Sequence, residues 1–335
     1  MATRGEGRWI GFDLGGTKMF CAVVDGRHRP VASKRESVGV GGDGAEGLKR
    51  IEALIRLTLR EAGLSPRDIG GIGIGTPGPL DLERGMLLSA PNLGWKRVPL
   101  REHLEAAFRR PVTVANDVDA GTYGEYVAGA AKGARTAVGI FPGTGIGGAC
   151  VYDGRLLRGR RQSCMEVGHL KVWPRGPLCG CGRRGCLEAV ASRLAIAGQA
   201  AAAVLRGQAP ALRKIAGADL ARIRSRTLAQ AIEEGDEVVE RIVRRAARHI
   251  GLAAANLVNL LAPDVVVLGG GLVEAMPKLF LETVREAAEE DVMDAFRGAF
   301  KVVAARLGDF ATVVGAAALA RDAVVDRRRS GRPRA

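Results

Sequence analysis

Short apolar runs alternate with longer stretches of helical period along this chain, the pattern of α/β layering. Trp9–Leu14, Met19–Val24 and Pro30–Ser37 read as three short strands joined by glycine-rich or polar turns. Gly44–Ala62 then sets Leu48, Ile51, Leu54, Ile55 and Leu59 on one helical face. Ile69–Ile74 and Pro111–Ala115 read as further strands, so the first third predicts β-β-β-α-β-α-β, a mixed sheet led by an antiparallel meander. A second set begins with strands at Thr136–Phe141 and Gly148–Tyr152 around a glycine-dense turn. Helical period returns from about 187 to 206 and from Asp236 to Leu261, the latter with Asp236 as N-cap and Val239, Ala246, Ile250, Ala254, Leu257 and Leu261 in one stripe. Pro263 ends that helix, Val265–Leu268 is a fully apolar strand, Gly269-Gly270-Gly271 turns into the next helix, and 310–325 reads as a closing helix.

Composition narrows the class. A chain of 335 residues predicts about two domains, and 47% hydrophobic with 26% charged residues is ordinary globular usage. Collagen-like and disordered classes are excluded, and no apolar run approaches the roughly 18–20 residues of a membrane span, so no membrane partner is expected. The segment before Trp9 holds no apolar core of a secretory signal, which predicts a cytoplasmic protein. Fifty Lys and Arg against 36 Asp and Glu leave a formal charge of +14, which would suit a polyanion. Only nine of those cations are Lys, however, and an Arg surplus beside abundant Ala, Gly and Val fits a genome-wide compositional bias equally well. Residues 327–335 carry five Arg and read as a basic, solvated tail.

Three glycine loops carry candidate chemistry. Asp13-Leu-Gly15-Gly16-Thr17-Lys18 lies between two predicted strands, a hairpin tip whose exposed backbone N–H groups suit phosphate. It lacks the spacing and following helix of a Walker A loop, and alone it reads equally as an ordinary turn. Pro142-Gly143-Thr144-Gly145-Ile-Gly-Gly148 occupies the equivalent place in the second set, suggesting duplicated halves. Gly269-Gly270-Gly271 would let a ligand approach backbone after a buried strand. Together the three favour a nucleotide. Asn116-Asp117 closes an apolar strand, where Asp117 either caps the next helix or accepts the proton of a hydroxyl during phosphoryl transfer.

The sharpest signal is Glu166-Val-Gly-His169 followed by Cys179-Gly-Cys181-Gly-Arg-Arg-Gly-Cys186. One imidazole and three thiols make a tetrahedral, water-free set for structural zinc, and Gly180, Gly182 and Gly185 permit a tight knuckle. A reducing compartment disfavours disulfides among them. Such a clamp would position Glu166 and Glu188 for vicinal hydroxyls, although Glu188 also suits the first turn of the next helix. Cys21, Cys150 and Cys164 read as packing residues.

These residues resemble the ROK family (repressors, open reading frames and kinases), in particular its glucokinases, within the actin-like ATPase and hexokinase superfamily. The resemblance runs from about residue 9 to 320 and its parts stand in family order: Asp13–Lys18, Gly73-Ile-Gly75-Thr-Pro-Gly-Pro79, Ala90-Pro-Asn92-Leu93, Asn116-Asp117, Gly143–Gly148, Glu166-x-Gly-His169, the cysteine knuckle with Glu188, and Leu268–Gly271. It implies two ribonuclease-H-like α/β domains with a cleft between them and a zinc knuckle: a smaller one of 8–117 plus about 311–326, and a larger one of 118–310. It further implies ATP-dependent phosphorylation of a hexose 6-hydroxyl, glucose first, with the domains closing over both substrates. Asp117 would be the base, with Gly75, Asn92, Asn116, Asp117, Glu166, His169 and Glu188 at the sugar. Asp13, Gly15, Gly16, Thr17, Lys18, Gly143, Thr144 and Gly145 would face ATP phosphates, Asp13 near Mg2+, and Gly269, Gly270 and Gly271 would line the adenosine. His169, Cys179, Cys181 and Cys186 would hold Zn2+, and the family's habit is a homodimer or homotetramer. One departure stands beside the sugar site: where relatives read small residues such as Ala-Asn-Gly-Ala-Ala-Gly, this chain has Arg160-Arg-Gln-Ser-Cys-Met165. That leaves mannose, fructose, allose or an N-acetylhexosamine open as acceptor, and the charge leaves polyphosphate open as donor. A family repressor is the non-enzyme alternative; with the core starting by Trp9 no DNA-reading helix is expected before it, hence no specific nucleic-acid partner.

Overall fold

In the computed structural model, residues 7–39, 43–90, 93–160 and 163–330 are described. Asn92, Arg161 and the end of the basic tail, 331–335, lie outside them. By internal contacts the chain forms two units, one of 1–133, 155–164 and 306–335, the other of 134–154 and 165–305.

The first unit contains β1 (Arg8–Leu14), β2 (Lys18–Asp25), β3 (Pro30–Ser37), α1 (Gly44–Glu61), β4 (Ile72–Thr76), β5 (Leu80–Asp81), β6 (Met86–Ala90), β7 (Trp95–Val98), α2 (Leu100–Phe108), β8 (Val112–Asn116) and α3 (Asp117–Ala128). Its main sheet has the order β3-β2-β1-β4-β8, with β1–β2 and β2–β3 antiparallel and β4 and β8 parallel to β1. Alternation along β1 sends Ile10, Phe12 and Leu14 into a core with α1 and α2, and Trp9 to the opposite face. The second unit follows with β9 (Thr136–Pro142) and β10 (Ile146–Tyr152); β11 (Arg155–Leu156) lies in the stretch that clusters with the first unit. Then come α4 (Leu187–Ala191), α5 (Arg193–Leu205), α6 (Pro210–Ala216), α7 (Ser225–Glu233), α8 (Glu237–Leu261), β12 (Val265–Leu268), α9 (Gly271–Ala275), α10 (Pro277–Asp291) and β13 (Lys301–Ala304), before α11 (Phe310–Ser330) returns to the first unit. The strand order β10-β9-β12-β13 repeats the first sheet's plan, an antiparallel hairpin flanked by two parallel strands. The expectation of duplicated halves thus extends from their loops to their topology.

α11 explains where the first unit ends. Gly11 on β1 and Gly73 on β4 leave the sheet face bare, and a Cβ at either would overlap a carbonyl oxygen of α11, that of Val313 or Ala316. Gly315 and Gly124 allow α11 and α3 the same backbone approach, at the Ala120 and Ala311 carbonyls. The fully buried Glu125 on α3 accepts N–H bonds from Ala130 (2.7 Å), Arg306 (2.9 Å) and Leu307 (2.7 Å). These contacts draw 118–133 and 306–310 into the first unit rather than the second, because α3 is sealed under α11.

Other expectations shift locally. Ser65 and Asp68 form a capping box around a 3-10 turn at Pro66–Asp68, so β4 begins at Ile72 instead of Ile69. The helical run from 187 is broken at Ser192, whose side chain caps α5. Residues 187–205 are long and apolar enough to cross a membrane, at mean hydropathy 1.2, contrary to the reading that no run approached that length; 56% of that window is buried inside the fold. The small sheet β5-β6-β7 has strands of two to five residues, too short for a periodic signal. Arg327–Arg329, expected in a solvated tail, are helical: they continue α11 and stand at its carbonyl end, where cations suit the dipole.

Gly315→Ala should cost about 1–3 kcal/mol or more, since backbone rather than a flexible side chain must move. Gly198→Ala, inside α5 with no atom near a new Cβ, should be neutral or gain about 0.5–1 kcal/mol. Thermal melts of the two variants check the contrast.

Candidate active site and metal centre

At the carboxyl end of the first sheet, Asp13 pairs in register with Phe20 of β2 and Gly75 of β4, and Gly75 with Ala115 of β8. Asp13 shares the α11 face with Gly11 by strand alternation. Its carboxyl is pushed up to about 7, first by burial, then by the negative charges of Asp117 and Asp309, against the pull of Arg35. Arg35 is paired with Asp309 at 2.8 Å. Burial also raises Asp117, against the hydrogen bonds it receives. Three carboxylates therefore share one electrostatic neighbourhood within the first unit. A cation held between Asp13 and its neighbours would relieve it.

The capping question at β8–α3 resolves in favour of Asn116. Its Oδ1 accepts the N–H groups of Val118 (2.9 Å) and Asp119 (3.3 Å), while Asp117 is the first helical residue and its Oδ1 shares the Val118 N–H (2.9 Å). Gly75 sits against the start of α3: a Cβ there would run into Thr312 and lie 3.3 Å from Ala120 Cβ. A packing reason thus stands beside its expected place at the sugar. The Asp13–Lys18 tip is a tight hairpin, closed by Gly15 N–H to the Lys18 carbonyl at 3.0 Å, with Gly16, Thr17 and Lys18 exposed.

In the second unit the Gly143–Gly145 turn is closed by Gly143 N–H to the Gly145 carbonyl at 2.8 Å. Gly269–Gly271 lies beside it. Gly270, at φ +83°, would bring a Cβ within 2.8 Å of the Pro142 carbonyl, and Gly269 would meet the Phe141 ring. Arg193, a residue with no local sequence signal, donates its backbone N–H to Gly143 (2.9 Å) and Nη2 to Thr144 Oγ1 (3.0 Å). Glu188, in the first turn of α4, does more than complement the dipole: its Oε2 accepts the Ile146 N–H at 3.0 Å, and a Cβ on Gly145 would overlap it.

The other oxygen of Glu188 lies 3.8 Å from Cys179 Sγ, and so leads into the knuckle. The ligand atoms of His169, Cys179, Cys181 and Cys186 all lie within 4.8 Å of one another. Cys181 and Cys186 sulfurs are 3.7 Å apart and Cys179 Sγ is 3.8 Å from His169 Nδ1. A tetrahedron with metal–sulfur bonds of about 2.3 Å has edges of about 3.8 Å, so the set fits a four-coordinate ion. Lys171 Nζ, 3.5 Å from Cys186 Sγ, supplies a positive charge beside the sulfurs. Gly182 and Gly185 adopt positive φ, +82° and +74°, and side chains are excluded at Gly185 by the Trp173 carbonyl; Gly180 needs no such freedom. Glu166 precedes and His169 ends a 3-10 turn, Val167–His169, both exposed. Just before them Met165 stands at φ +61°, a left-handed conformation that costs a non-glycine residue about 1 kcal/mol or more. Cys21 and Cys150 are buried, as packing residues are, and Cys164 donates to the Leu157 carbonyl at 3.0 Å.

The model of the ROK family matches residues 9–323. The chain belongs to the ROK family. Among ROK proteins, the glucokinase of Thermotoga maritima is 34% identical over 318 residues, covering 94% of this chain and 98% of its own. A crystal structure of a ROK glucokinase from Streptomyces griseus, in complex with glucose and AMPPNP, superposes with a TM-score of 0.79 at 33% identity, over 94% of this chain and all of that one. The xylose repressor of Caldicellulosiruptor bescii is 31% identical over 313 residues, 93% of this chain and 78% of the repressor. The α/β fold read from the residues is therefore that of ROK glucokinases.

Within this ROK chain, Asp13, Gly75, Asn116 and Asp117 come together at the end of the first sheet. Glu188 and the Gly143–Gly145 turn come together in the second unit with the four metal-ligand candidates. Asp309 and Arg193 escaped the sequence reading, since each is a single charged residue beside a turn or cap and only packing shows what it faces. The Asp13 shift has a measurable sign. The folded state holds the proton more tightly than the unfolded chain at 3.8, so the stability tied to Asp13 is full below about pH 4 and lost as pH rises through about 7. In magnesium-free buffer Asp13→Asn should raise Tm at pH 8, and the gain should vanish by pH 4; a gain independent of pH would contradict this origin.

Proposed function

We propose that this chain is an ATP-dependent hexose kinase that acts in the cytoplasm on the 6-hydroxyl, with glucose the first acceptor to test. The observation that carries the reading is Asp117: a carboxylate at a strand end, relieved of capping by Asn116 and raised by burial, in a ROK chain with glucokinase relatives of full length. A base is most effective when its pKa approaches the working pH, and burial moves Asp117 in that direction. It takes the proton of the sugar hydroxyl as that oxygen bonds to the γ-phosphorus, and the bond to the bridging oxygen breaks to release ADP. Asn92, Asn116, Glu166, His169 and Glu188 are assigned to the sugar. The Asp13–Lys18 and Gly143–Gly145 turns are assigned to the phosphates, Asp13 to Mg2+, and Gly269–Gly271 to the adenosine.

The ion assigned to the knuckle is zinc, held by His169, Cys179, Cys181 and Cys186; three thiolates and an imidazole suit zinc over harder cations. Four protein ligands leave no open position, so zinc here supplies rigidity. That rigidity reaches the sugar and phosphate residues through Glu188 and the turn at Glu166. Metal analysis should find one zinc per chain, and Cys186→Ala should lose it together with thermal stability and sugar affinity. Retention of both after metal loss would remove this role.

Release of ADP with magnesium-ATP, measured across glucose, mannose, fructose, N-acetylglucosamine and N-acetylmannosamine, tests the activity and the acceptor. Asp117→Ala should lower turnover about 10²–10⁴-fold while leaving sugar binding by calorimetry in place. The repressor relative supports a second reading, a sugar-sensing regulator. That reading predicts sugar binding with no ADP release from any acceptor, with ATP or polyphosphate as donor.

A further inference from the structure

Away from the residues assigned above, a cavity of about 440 Å3 opens between α5 and α8. Its floor is Ala202, Val238 and Ile242, and its walls are Gln199, Gln208, Arg206, Arg241 and Arg245. The size lies within the roughly 300–1,000 Å3 of small-molecule sites, and an apolar floor with a few polar groups is their usual composition. The residues are set by helical period, Gln199 and Ala202 on one face of α5 with Arg206 at its C-cap, and Val238, Arg241, Ile242 and Arg245 on one face of α8.

The charge in this cavity differs from the Arg-rich surface around it. α8 carries four arginines at 241, 244, 245 and 248. Arg244 pairs with Glu240 at 2.7 Å and Arg248 with Glu290 at 3.8 Å, and neither lines the cavity. The two that do, Arg241 and Arg245, belong to no ion pair among the described residues, and no Asp or Glu lines the walls. Neutral amides hold the flanking guanidiniums instead: Arg206 Nε donates to Gln208 Oε1 at 2.9 Å, and Arg245 Nη2 donates to Gln199 Oε1. Guanidiniums that line one cavity without a carboxylate among its walls repel one another, and a planar fork of donors matches a phosphate.

We propose that this cavity binds a small organic phosphate: the dianion would lie among Arg206, Arg241 and Arg245, and its apolar body on Ala202, Val238 and Ile242. The site is independent of the proposed catalysis. It is nonetheless tied to it structurally, because α5, about 20 Å long, begins with Arg193, bonded to Gly143 and Thr144, carries Gln199 at its middle, and is capped at its far end by Arg206.

Phenyl phosphate is a suitable probe, since it is neither a sugar nor a nucleotide. Calorimetry on the full chain, with glucose and magnesium-AMPPNP present to fill the proposed active site, should give a Kd at or below about 1 mM. Arg206→Gln with Arg241→Gln should weaken it about tenfold or more, the effect of losing charged hydrogen bonds. Ala202→Phe, which fills the floor and keeps every charge, should weaken it as well, and unchanged melting temperatures show that both variants fold. Benzoate should bind at least about tenfold more weakly than phenyl phosphate; equal affinity would overturn the phosphate assignment. Binding unchanged in both variants, binding abolished by glucose and magnesium-AMPPNP, or no binding below about 10 mM would overturn the site itself.

Discussion

The backbone contact of α11 with the first sheet and with α3 is the constraint on which the candidate active-site end of the first unit depends. Glycines at 11, 73, 124 and 315 remove the side chains that would otherwise hold these elements apart. Gly75 does the same at the start of α3, where Asp117 stands. Close layering is what desolvates Asp13 and Asp117 and brings the charge of Asp309 to bear on Asp13. In a looser unit, water would screen these carboxylates and their proton affinities would stay near ordinary values. Glu125, buried on α3 and saturated by three backbone donors, fixes the segment that leads to Asp309. A structural carboxylate thus stands behind the candidate functional ones.

In the second unit a single side chain plays the connecting part. Glu188 accepts from the backbone of Ile146 with one oxygen and lies 3.8 Å from Cys179 with the other. A knuckle clamped by an ion would therefore fix the turn at Gly143–Gly145 through one carboxylate, without long-range packing. Outer partners of a metal site commonly orient what the ligands alone cannot. Arg193 holds the other side of the turn. The two halves thus reach comparable loops by different means: backbone packing in the first, and a ligand-set knuckle with two charged side chains in the second.

Much of this was legible in the chain. Strand and helix positions follow from apolar period, because burial on one face repeats every two or every 3.6 residues. The Cys179, Cys181 and Cys186 spacing with His169 names its own chemistry, since the ligands that must converge lie within 18 residues. Residues far apart in sequence left less trace. The small sheet of β5, β6 and β7 is too short for period, and the break at Ser192 is invisible in a continuously apolar run. The left-handed conformation of Met165, at the end of the Arg160–Met165 loop, likewise has no local sequence signal, since a non-glycine side chain stands there.

The sequence by itself determined the α/β class, the duplicated glycine hairpins, the metal-ligand set and the family, because each depends on residues close along the chain or on the order of short motifs. Tertiary structure alone decided that Asn116 rather than Asp117 caps α3, that Asp309 and Arg193 belong beside the site residues, and that 118–133 joins the first unit. It also decided which arginines around a cavity belong to no ion pair among the described residues. These outcomes depend on which groups share a space after folding, and burial and Coulomb interaction act through distance in space rather than separation along the chain.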